Sequence, residues 1–157
     1  DFSDLFRASL SDESRSSTLA EEIQLMRQYL EIERQRLGDR LQIHWDLHEL
    51  PGTAPMPALT LQPLAENAVY HGIEPSVSGG EITLHGRIRK GVIALAMTNT
   101  LPPDGAVNYR KGNHMAQENV RQRLLASFGD AAGSSTGMVD GKYQIRIWFP
   151  VQRTAAS

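Results

Sequence analysis

The sequence of 157 residues contains no cysteine. This excludes disulfides and thiolate-rich zinc or iron–sulfur sites, and it is consistent with a reducing compartment. No apolar run approaches the ~20 residues that a membrane-spanning helix requires, and no basic segment followed by an apolar one marks a signal peptide. The sequence also has no large excess of positive or negative residues. The formal net charge is −2, which does not favour nucleic acid as a partner.

The composition, with 40% apolar and 22% charged residues, is typical of one globular domain that is long enough to bury a core. The chain begins in the middle of a helical pattern, DFSDLFRASL, without a methionine. We therefore expect a fragment of a longer protein, with any membrane anchor in the remainder.

A first long helix is predicted after the serine-rich segment SDESRSST. Ser17 and Thr18 are suitable caps, and Glu21 and Glu22 lie in the first turn, where carboxylates meet the positive end of the helix dipole. Gly38 ends the helix. Its apolar seam consists of Leu19, Ile23, Met26, Leu30 and Leu37. This spacing fits a helix that pairs with another copy and equally a helix packed on its own domain.

The rest of the chain predicts an α/β layered domain with helices on a mixed, mainly antiparallel sheet. The predicted elements are a strand at 42–47, a turn-rich segment at 51–57, a helix at 58–73 with Pro57 in its first position, a hairpin of strands 81–89 and 92–99, a loop at 101–114, a helix at 115–128, a small-residue loop at 129–137 and a strand at 143–149.

The helix at 58–73 divides into an apolar arc and a polar arc. The apolar arc contains Leu61, Leu64, Ala65, Ala68 and Val69, and the polar arc contains Gln62, Glu66, Asn67, Tyr70 and His71. A solvated face is one interpretation of the polar arc. Its amides, phenol and imidazole favour a nucleotide-phosphate site instead. In such a site Asn67 would bind Mg²⁺, Glu66 would orient or deprotonate the attacking group, and His71 would donate to a phosphate.

The segment LTLQPLAENAVYHGI resembles the N-box, roughly LQPLxENAxxHG, of the LytS/AlgZ-type (FimS-like) sensor histidine kinases. The segments DFSDLFRASL, LAEEIQLMRQYLEIERQRLGDRL, ENVRQRL and YQIRIWFP resemble other parts of that family in the same order. The family belongs to the GHKL (Bergerat-fold) ATPases. The resemblance therefore implies a two-layer α/β sandwich that holds ATP between helices and a loop.

By this resemblance, residues 1–37 are the end of a dimerisation hairpin and its connecting helix, and residues 38–157 are the ATP-binding catalytic domain. The implied enzyme is a protein-histidine kinase that transfers the γ-phosphoryl of Mg·ATP to a histidine. A response-regulator aspartate, of the LytR/AlgR type, then receives it. The implied setting is the cytoplasmic part of a homodimeric inner-membrane sensor, which contacts the membrane only through parts missing from this chain.

The resemblance also assigns site residues. Glu66 is the catalytic carboxylate, Asn67 holds Mg²⁺, and His71 lies near the phosphates. Asn99 takes the place of the family's usual Asp, whose carboxylate accepts a hydrogen bond from the adenine amino group. The other implied nucleotide-binding residues are Gly112, His114 and Asn119.

Two boxes depart from the family pattern. Asn99 accepts a hydrogen bond without the assistance of charge, and Thr100 and Leu101 replace the Asn-Gly that usually follows. In GNHMAQENVRQRL, His114 and Ala116 occupy glycine positions, and Gln117 replaces a Leu. The imidazole of His114 either crowds the phosphates or donates to them.

Two functions remain open at this point: an active kinase domain, or a pseudokinase-like regulatory module with weak or no ATP turnover that contacts a response regulator. A GHKL ATPase of the mismatch-repair, chaperone or gyrase kind would not account for YLEIERQRLGDRL. None of the five histidines lies in the family's PHFLFN-like acceptor motif. We therefore predict that the isolated chain does not phosphorylate itself.

Overall fold

The computed structural model describes residues 16–102 and 106–151, and for residues 106–114 it describes the backbone alone. The elements are β1 (Ser16–Thr18), α1 (Leu19–Leu37), β2 (Leu41–Leu47), β3 (Pro55–Pro57), α2 (Leu61–Asn67), β4 (Gly80–Arg89), β5 (Val92–Asn99), α3 (Ala106–Phe128), β6 (Gly133–Val139) and β7 (Lys142–Pro150). A π-helical segment, Ala68–Ile73, continues α2, and 3₁₀ turns at Gly38–Arg40 and Gly129–Ala131 follow α1 and α3.

The main sheet has five strands in the order β2-β4-β5-β7-β6. The edge strand β2 runs parallel to β4, and the other three pairs are antiparallel. A separate two-stranded antiparallel sheet joins β1 to β3. The predicted class, helices layered on a mixed and mainly antiparallel sheet, is confirmed.

Both tight hairpins turn through two residues with positive φ. Lys90 and Gly91 have φ of 50° and 76°, and Asp140 and Gly141 have φ of 52° and 78°. Turns of this kind match the right-handed twist of the flanking strands, and they favour glycine in the second position. The hairpin of β4 and β5 agrees with the prediction from Lys90–Gly91.

The core lies between the helices and one face of the sheet. The buried sheet residues include Ile82, Leu84, Leu95, Met97, Ile145, Ile147 and Phe149, and the buried helical residues include Leu19, Met26, Leu30, Leu61, Leu64, Ala65, Ala68, Val69, Val120 and Leu124. The seam of α1 is therefore buried in its own domain. This agrees with the second of the two interpretations of its spacing.

The start of α1 is as predicted. Thr18 Oγ1 accepts a hydrogen bond from Glu21 N at 3.2 Å, and Glu21 Oε1 accepts one from Thr18 N at 3.2 Å. This reciprocal pair is a capping box. Gly38 ends the helix with φ of 62°, a conformation that favours glycine.

The predicted start of the middle helix is wrong. Pro57 lies in β3 and α2 begins at Leu61. Residues 55–57 are extended because Met56 lies opposite Ser17 in the ladder with β1. Nothing local in the sequence indicates that partner strand.

Two predicted loops contain regular structure. Residues 106–114 are helical, as the first part of α3. A single interior glycine costs a helix only about 1 kcal/mol, which the rest of a long helix offsets. Residues 133–139 form the edge strand β6, where small side chains suffice. A Cβ at Gly133 would lie 2.6 Å from Trp148 Cζ2, so a larger residue does not fit there.

Within residues 16–102 and 106–151, no helix has the length and apolarity that crossing a bilayer requires.

Candidate functional site

The polar arc of α2 is at the surface of the domain, as its residue types predict. Gln62, Glu66 and Asn67 are half-buried. Gln62 Nε2 donates to Glu66 Oε2 at 2.9 Å, and Asn67 Nδ2 donates to Pro63 O at 3.0 Å. The amide nitrogen of Asn67 is thereby engaged, and Oδ1 is the atom available to a cation. A hard amide oxygen of this kind suits Mg²⁺, so the residues present fit that ion.

After Asn67 the helix widens. Glu74 N donates to Val69 O at 2.8 Å, the five-residue spacing of a π-helix. The Tyr70 ring is exposed and meets the half-buried His71 ring edge to face, with 4.7 Å between centroids. Single π-turns inside helices are frequent at functional sites.

The end of β5 meets this widened turn. Asn99 is 2% exposed, and its Nδ2 donates to Thr100 O at 2.7 Å. A Cβ built on Gly72 would lie 2.5 Å from Asn99 Nδ2 and 3.1 Å from Thr100 O. Glycine at position 72 therefore permits the close approach of the helix to Asn99. The structure thus brings Asn99 to the helix that carries Glu66, Asn67 and His71.

The phenol of Tyr29, in α1, is close enough to the polar arc of α2 to interact electrostatically with Glu66. Its pKa is raised above the usual value, first by burial and then by the carboxylates of Glu33 and Glu66. No local pattern assigns Tyr29 to the site, because its proximity to Glu66 depends on how α1 packs against α2.

Comparison with known proteins supports one family. A family model described as histidine kinase matches residues 1–41. Sensor histidine kinase YesM of Bacillus subtilis is 30% identical over 131 residues, covering 82% of this chain and 23% of the relative. Sensor protein LytS of Oceanobacillus iheyensis is 32% identical over 143 residues, covering 82% and 24%. The chain is a histidine kinase domain of the LytS type. It spans about a quarter of the length of these curated relatives.

Solved structures agree on the fold. The nucleotide-free catalytic domain of histidine kinase ThkA matches with a TM-score of 0.64 and 14% identity, over 87% of this chain and 94% of that one. ThkA in complex with response regulator protein TrrA matches with a TM-score of 0.61 and 12% identity, over 88% of this chain and 42% of that one. Full-length ShkA in complex with AMPPNP matches with a TM-score of 0.54 and 20% identity, over 86% of this chain and 31% of that one. The chain thus has the fold of the catalytic domains of histidine kinases.

The other predicted site residues of this kinase domain lie on α3. Asn119 is exposed, one position before the buried Val120. The side chains of Gly112 and His114 lie outside the described residues, and their backbone belongs to the helix. The structure therefore brings four of the seven predicted residues to one region, and the roles of all seven stay predictions.

Two further residues, Glu22 and Arg123, contact the segment that leads into the helix of the candidate site, and these contacts were not predicted. Glu22 is buried in α1 and accepts hydrogen bonds from the backbone amides of residues 59–61, at the start of α2. Arg123 Nη1, from α3, donates to Ala58 O at 3.0 Å. One signal was present for Glu22, since it lies three residues after Leu19 and four before Met26, on the apolar seam.

A second polar cluster of the kinase domain lies at the neighbouring strands β2 and β4. Asp46 contacts His85 Nδ1 at 3.0 Å and His48 Nε2 at 2.6 Å. The hydrogen bond with His85, followed by that with His48, lowers the pKa of Asp46. Among the residues that the structure describes, no group of three or more His, Cys, Asp and Glu is arranged to hold a metal ion.

Proposed function

We propose that this kinase domain binds Mg·ATP on the polar face of α2 and transfers the γ-phosphoryl group to a histidine elsewhere in the full-length protein. The observation that carries the proposal is the convergence of Glu66, Asn67 and His71 with Asn99 across the contact at Gly72. Each brings a group that nucleotide chemistry uses: a carboxylate, an oxygen ligand, an imidazole and a buried amide.

Mg²⁺, when bound, would supply positive charge that offsets the charge developing on the transferred phosphoryl group. Asn67 would hold the ion through Oδ1. Glu66 would accept the proton that the acceptor imidazole loses as the P–N bond forms and the bond to ADP breaks. Its hydrogen bond from Gln62 fixes the carboxylate in place for that role. His71 would donate to a phosphate oxygen.

Asn99 would receive the adenine amino group. It is held by its hydrogen bond to Thr100 O and by the backbone of Gly72. Its neutral amide makes a weaker hydrogen bond than a carboxylate does, because charge-assisted bonds are about twice as strong. We therefore expect adenine to be bound less tightly than by a domain with Asp in this position.

The wider setting is proposed from the relatives. The solved complexes of ThkA with a response regulator and of ShkA with AMPPNP support the same two kinds of partner here. We propose a regulator of the LytR/AlgR type. We propose that residues 1–37 end a dimerisation hairpin, that residues 38–157 form the catalytic domain, and that the domain is the cytoplasmic part of a homodimeric inner-membrane sensor.

One observation favours the alternative of a regulatory module with little or no turnover. The backbone around Gly112 lies inside α3 rather than in a loop. Interior amides of a helix donate to carbonyls four residues earlier and are not available to phosphates. In this conformation the segment around Gly112, where the family has several glycines, would not contribute backbone N–H donors to a nucleotide.

Calorimetric titration with Mg·AMP-PNP separates the two functions. We expect saturable binding by the chain, and a loss of about tenfold or more, ~1.4 kcal/mol, in Asn67→Ala. Gln42→Ala is the matched control, since it removes an exposed amide from β2, away from α2. Absence of binding at millimolar nucleotide would reject the kinase function in favour of the regulatory module.

A further inference from the structure

Glu22 is the fourth residue of α1, and it is only 1% exposed although it carries a carboxylate. Its Oε1 accepts hydrogen bonds from Thr60 N at 2.8 Å and Leu61 N at 3.3 Å, and its Oε2 accepts one from Leu59 N at 3.1 Å. Three backbone donors thus satisfy a buried charge that would otherwise be costly.

These donors lie at the N-terminus of α2, which has no cap of its own. Thr60 occupies the cap position, but its Oγ1 donates to Pro57 O at 2.7 Å instead of accepting from the helix. Glu22 therefore does the work of the missing cap from another helix. Its negative charge also meets the positive end of the α2 dipole.

The first turn of α1 is also held by backbone hydrogen bonds to residues 52–54, which precede β3. Leu19 N donates to Ala54 O at 2.8 Å, and Ala20 N donates to Gly52 O at 2.9 Å. The ladder of β1 with β3 continues this connection. The start of α1 thus donates hydrogen bonds to residues 52 and 54 and accepts hydrogen bonds from residues 59–61. An axial displacement of α1 therefore has to displace Glu22 and the amides that it binds.

From this geometry we propose that Glu22 is a positioning residue for the nucleotide site, which couples the position of α1 to that of Glu66 and Asn67. The proposal rests on the proposed function of that site. The helix α2 is only seven residues long, so its first turn is adjacent to the turn that carries Glu66 and Asn67. Even with its π-helical continuation, Ala68–Ile73, the helical segment has a length that is marginal for an isolated helix in water, so its N-terminal anchor affects the position of those side chains.

A second contact converges on the same turn. Arg123 of α3 donates to Ala58 O, on the residue that precedes the three amides. Leu59, the first of these three residues, has φ of 58°, a left-handed conformation that is unfavourable for a residue other than glycine. Contacts from α1 and α3 hold this turn in a conformation that it would not adopt alone.

The test compares two adjacent glutamates. Glu22→Gln places an amide against backbone donors, whereas Glu21→Gln alters only the capping box of α1 itself. We expect Glu22→Gln to weaken binding of Mg·AMP-PNP by about fivefold or more, the lower end of typical coupling between sites. The amides of residues 59–61 should exchange hydrogen faster in this variant. Glu21→Gln should leave both quantities unchanged.

A purely structural role of Glu22 predicts a different outcome. Ile93→Ala is the control for lost stability, because Ile93 is buried near the opposite end of β5 from Asn99. It should unfold more easily and still bind nucleotide like the parent. Glu22→Asp, which keeps the charge on a shorter side chain, should recover part of the affinity. Parent-like affinity in Glu22→Gln would overturn the proposal.

The failure of the proposed function gives a separate result. If the unsubstituted chain binds no nucleotide, that function is rejected, and the coupling of Glu22 to a nucleotide site is rejected with it. Parent-like affinity in Glu22→Gln, with a parent that binds, rejects the positioning role alone. If Glu22→Gln does not fold, Arg123→Gln tests the same turn, with Arg121→Gln on the surface of α3 as its control. Unchanged affinity in Arg123→Gln would then overturn the proposal.

Discussion

Replacing Gly72 by alanine adds a methyl group where the widened turn after α2 meets β5. The new Cβ would lie 2.5 Å from Asn99 Nδ2 and 3.1 Å from Thr100 O. The first atom belongs to a buried side chain that is hydrogen-bonded to the second. The methyl group therefore displaces the Asn99 amide or forces the helix away from the strand.

The magnitude follows from three contributions. Overpacking of a tight contact costs about 1–3 kcal/mol, and loss of the Asn99–Thr100 hydrogen bond costs about 1 kcal/mol. Alanine gains at most about 1 kcal/mol over glycine in a helix. The free energy of unfolding of Gly72→Ala should therefore fall by about 1–3 kcal/mol. Nucleotide affinity should fall as well, because Asn99 is the proposed adenine acceptor.

Urea denaturation gives the stability, and titration with Mg·AMP-PNP gives the affinity. Gly137→Ala is the matched control, since a Cβ in that position of β6 meets nothing within 4 Å and no positive φ opposes it. It should be neutral or stabilising by up to about 1 kcal/mol. If Gly72→Ala proved as stable as Gly137→Ala, the close approach of the helix to Asn99 would be refuted.

Three further predictions concern other parts of the domain. Lys90→Asn should raise the free energy of unfolding by roughly 0.5 kcal/mol in urea denaturation, because asparagine tolerates the positive φ of this turn better; an unchanged midpoint would contradict this. His85→Gln should raise the pKa of Asp46 in a carboxyl NMR titration. Because the pKa of Asp46 is depressed in the folded state, the stability that this carboxylate contributes is present above the ordinary pKa of Asp, about 4. That stability is lost as the pH falls through the pKa of the folded state. An unchanged pKa of Asp46 in His85→Gln would count against the contact. Glu66→Gln should lower the pKa of Tyr29 in an ultraviolet titration, since the charge on Glu66 contributes to the rise; an unaltered phenol pKa would mean that the two groups do not interact.

The sequence predicted those elements whose signals are local. Thr18 and Glu21 are three residues apart and form the capping box, and Gly38 ends the same helix. Lys90–Gly91 marks the turn between two alternating segments. In each case the residues that determine the conformation are neighbours in the chain.

Elements that depend on distant partners were missed. The extended segment 55–57 pairs with β1, and β6 exists because β7 is beside it. The turn Asp140–Gly141 before β7 was a usable signal for β6, since Asp-Gly is a preferred hairpin turn. No such signal marked the start of α2.

The candidate site divides in the same way. The positions of Glu66, Asn67 and His71 relative to one another follow from helical spacing, apart from the π-turn. Glu21 and Glu22 looked equivalent as first-turn carboxylates, yet one caps its own helix and the other holds α2. That difference depends on which face of α1 packs inward, which only the assembled domain determines.

The topology of the sheet has a consequence for the order of folding. The strand pairs β4–β5 and β6–β7 are closed by two-residue turns, so each hairpin can form early from local contacts. The edge strand β2 reaches its parallel partner β4 only after the whole α2 region has been enclosed between them. As the chain is synthesised, α1 and β2 emerge before any strand of the sheet to which they bind. We therefore expect the half of the domain that is made first to be the half that becomes ordered last.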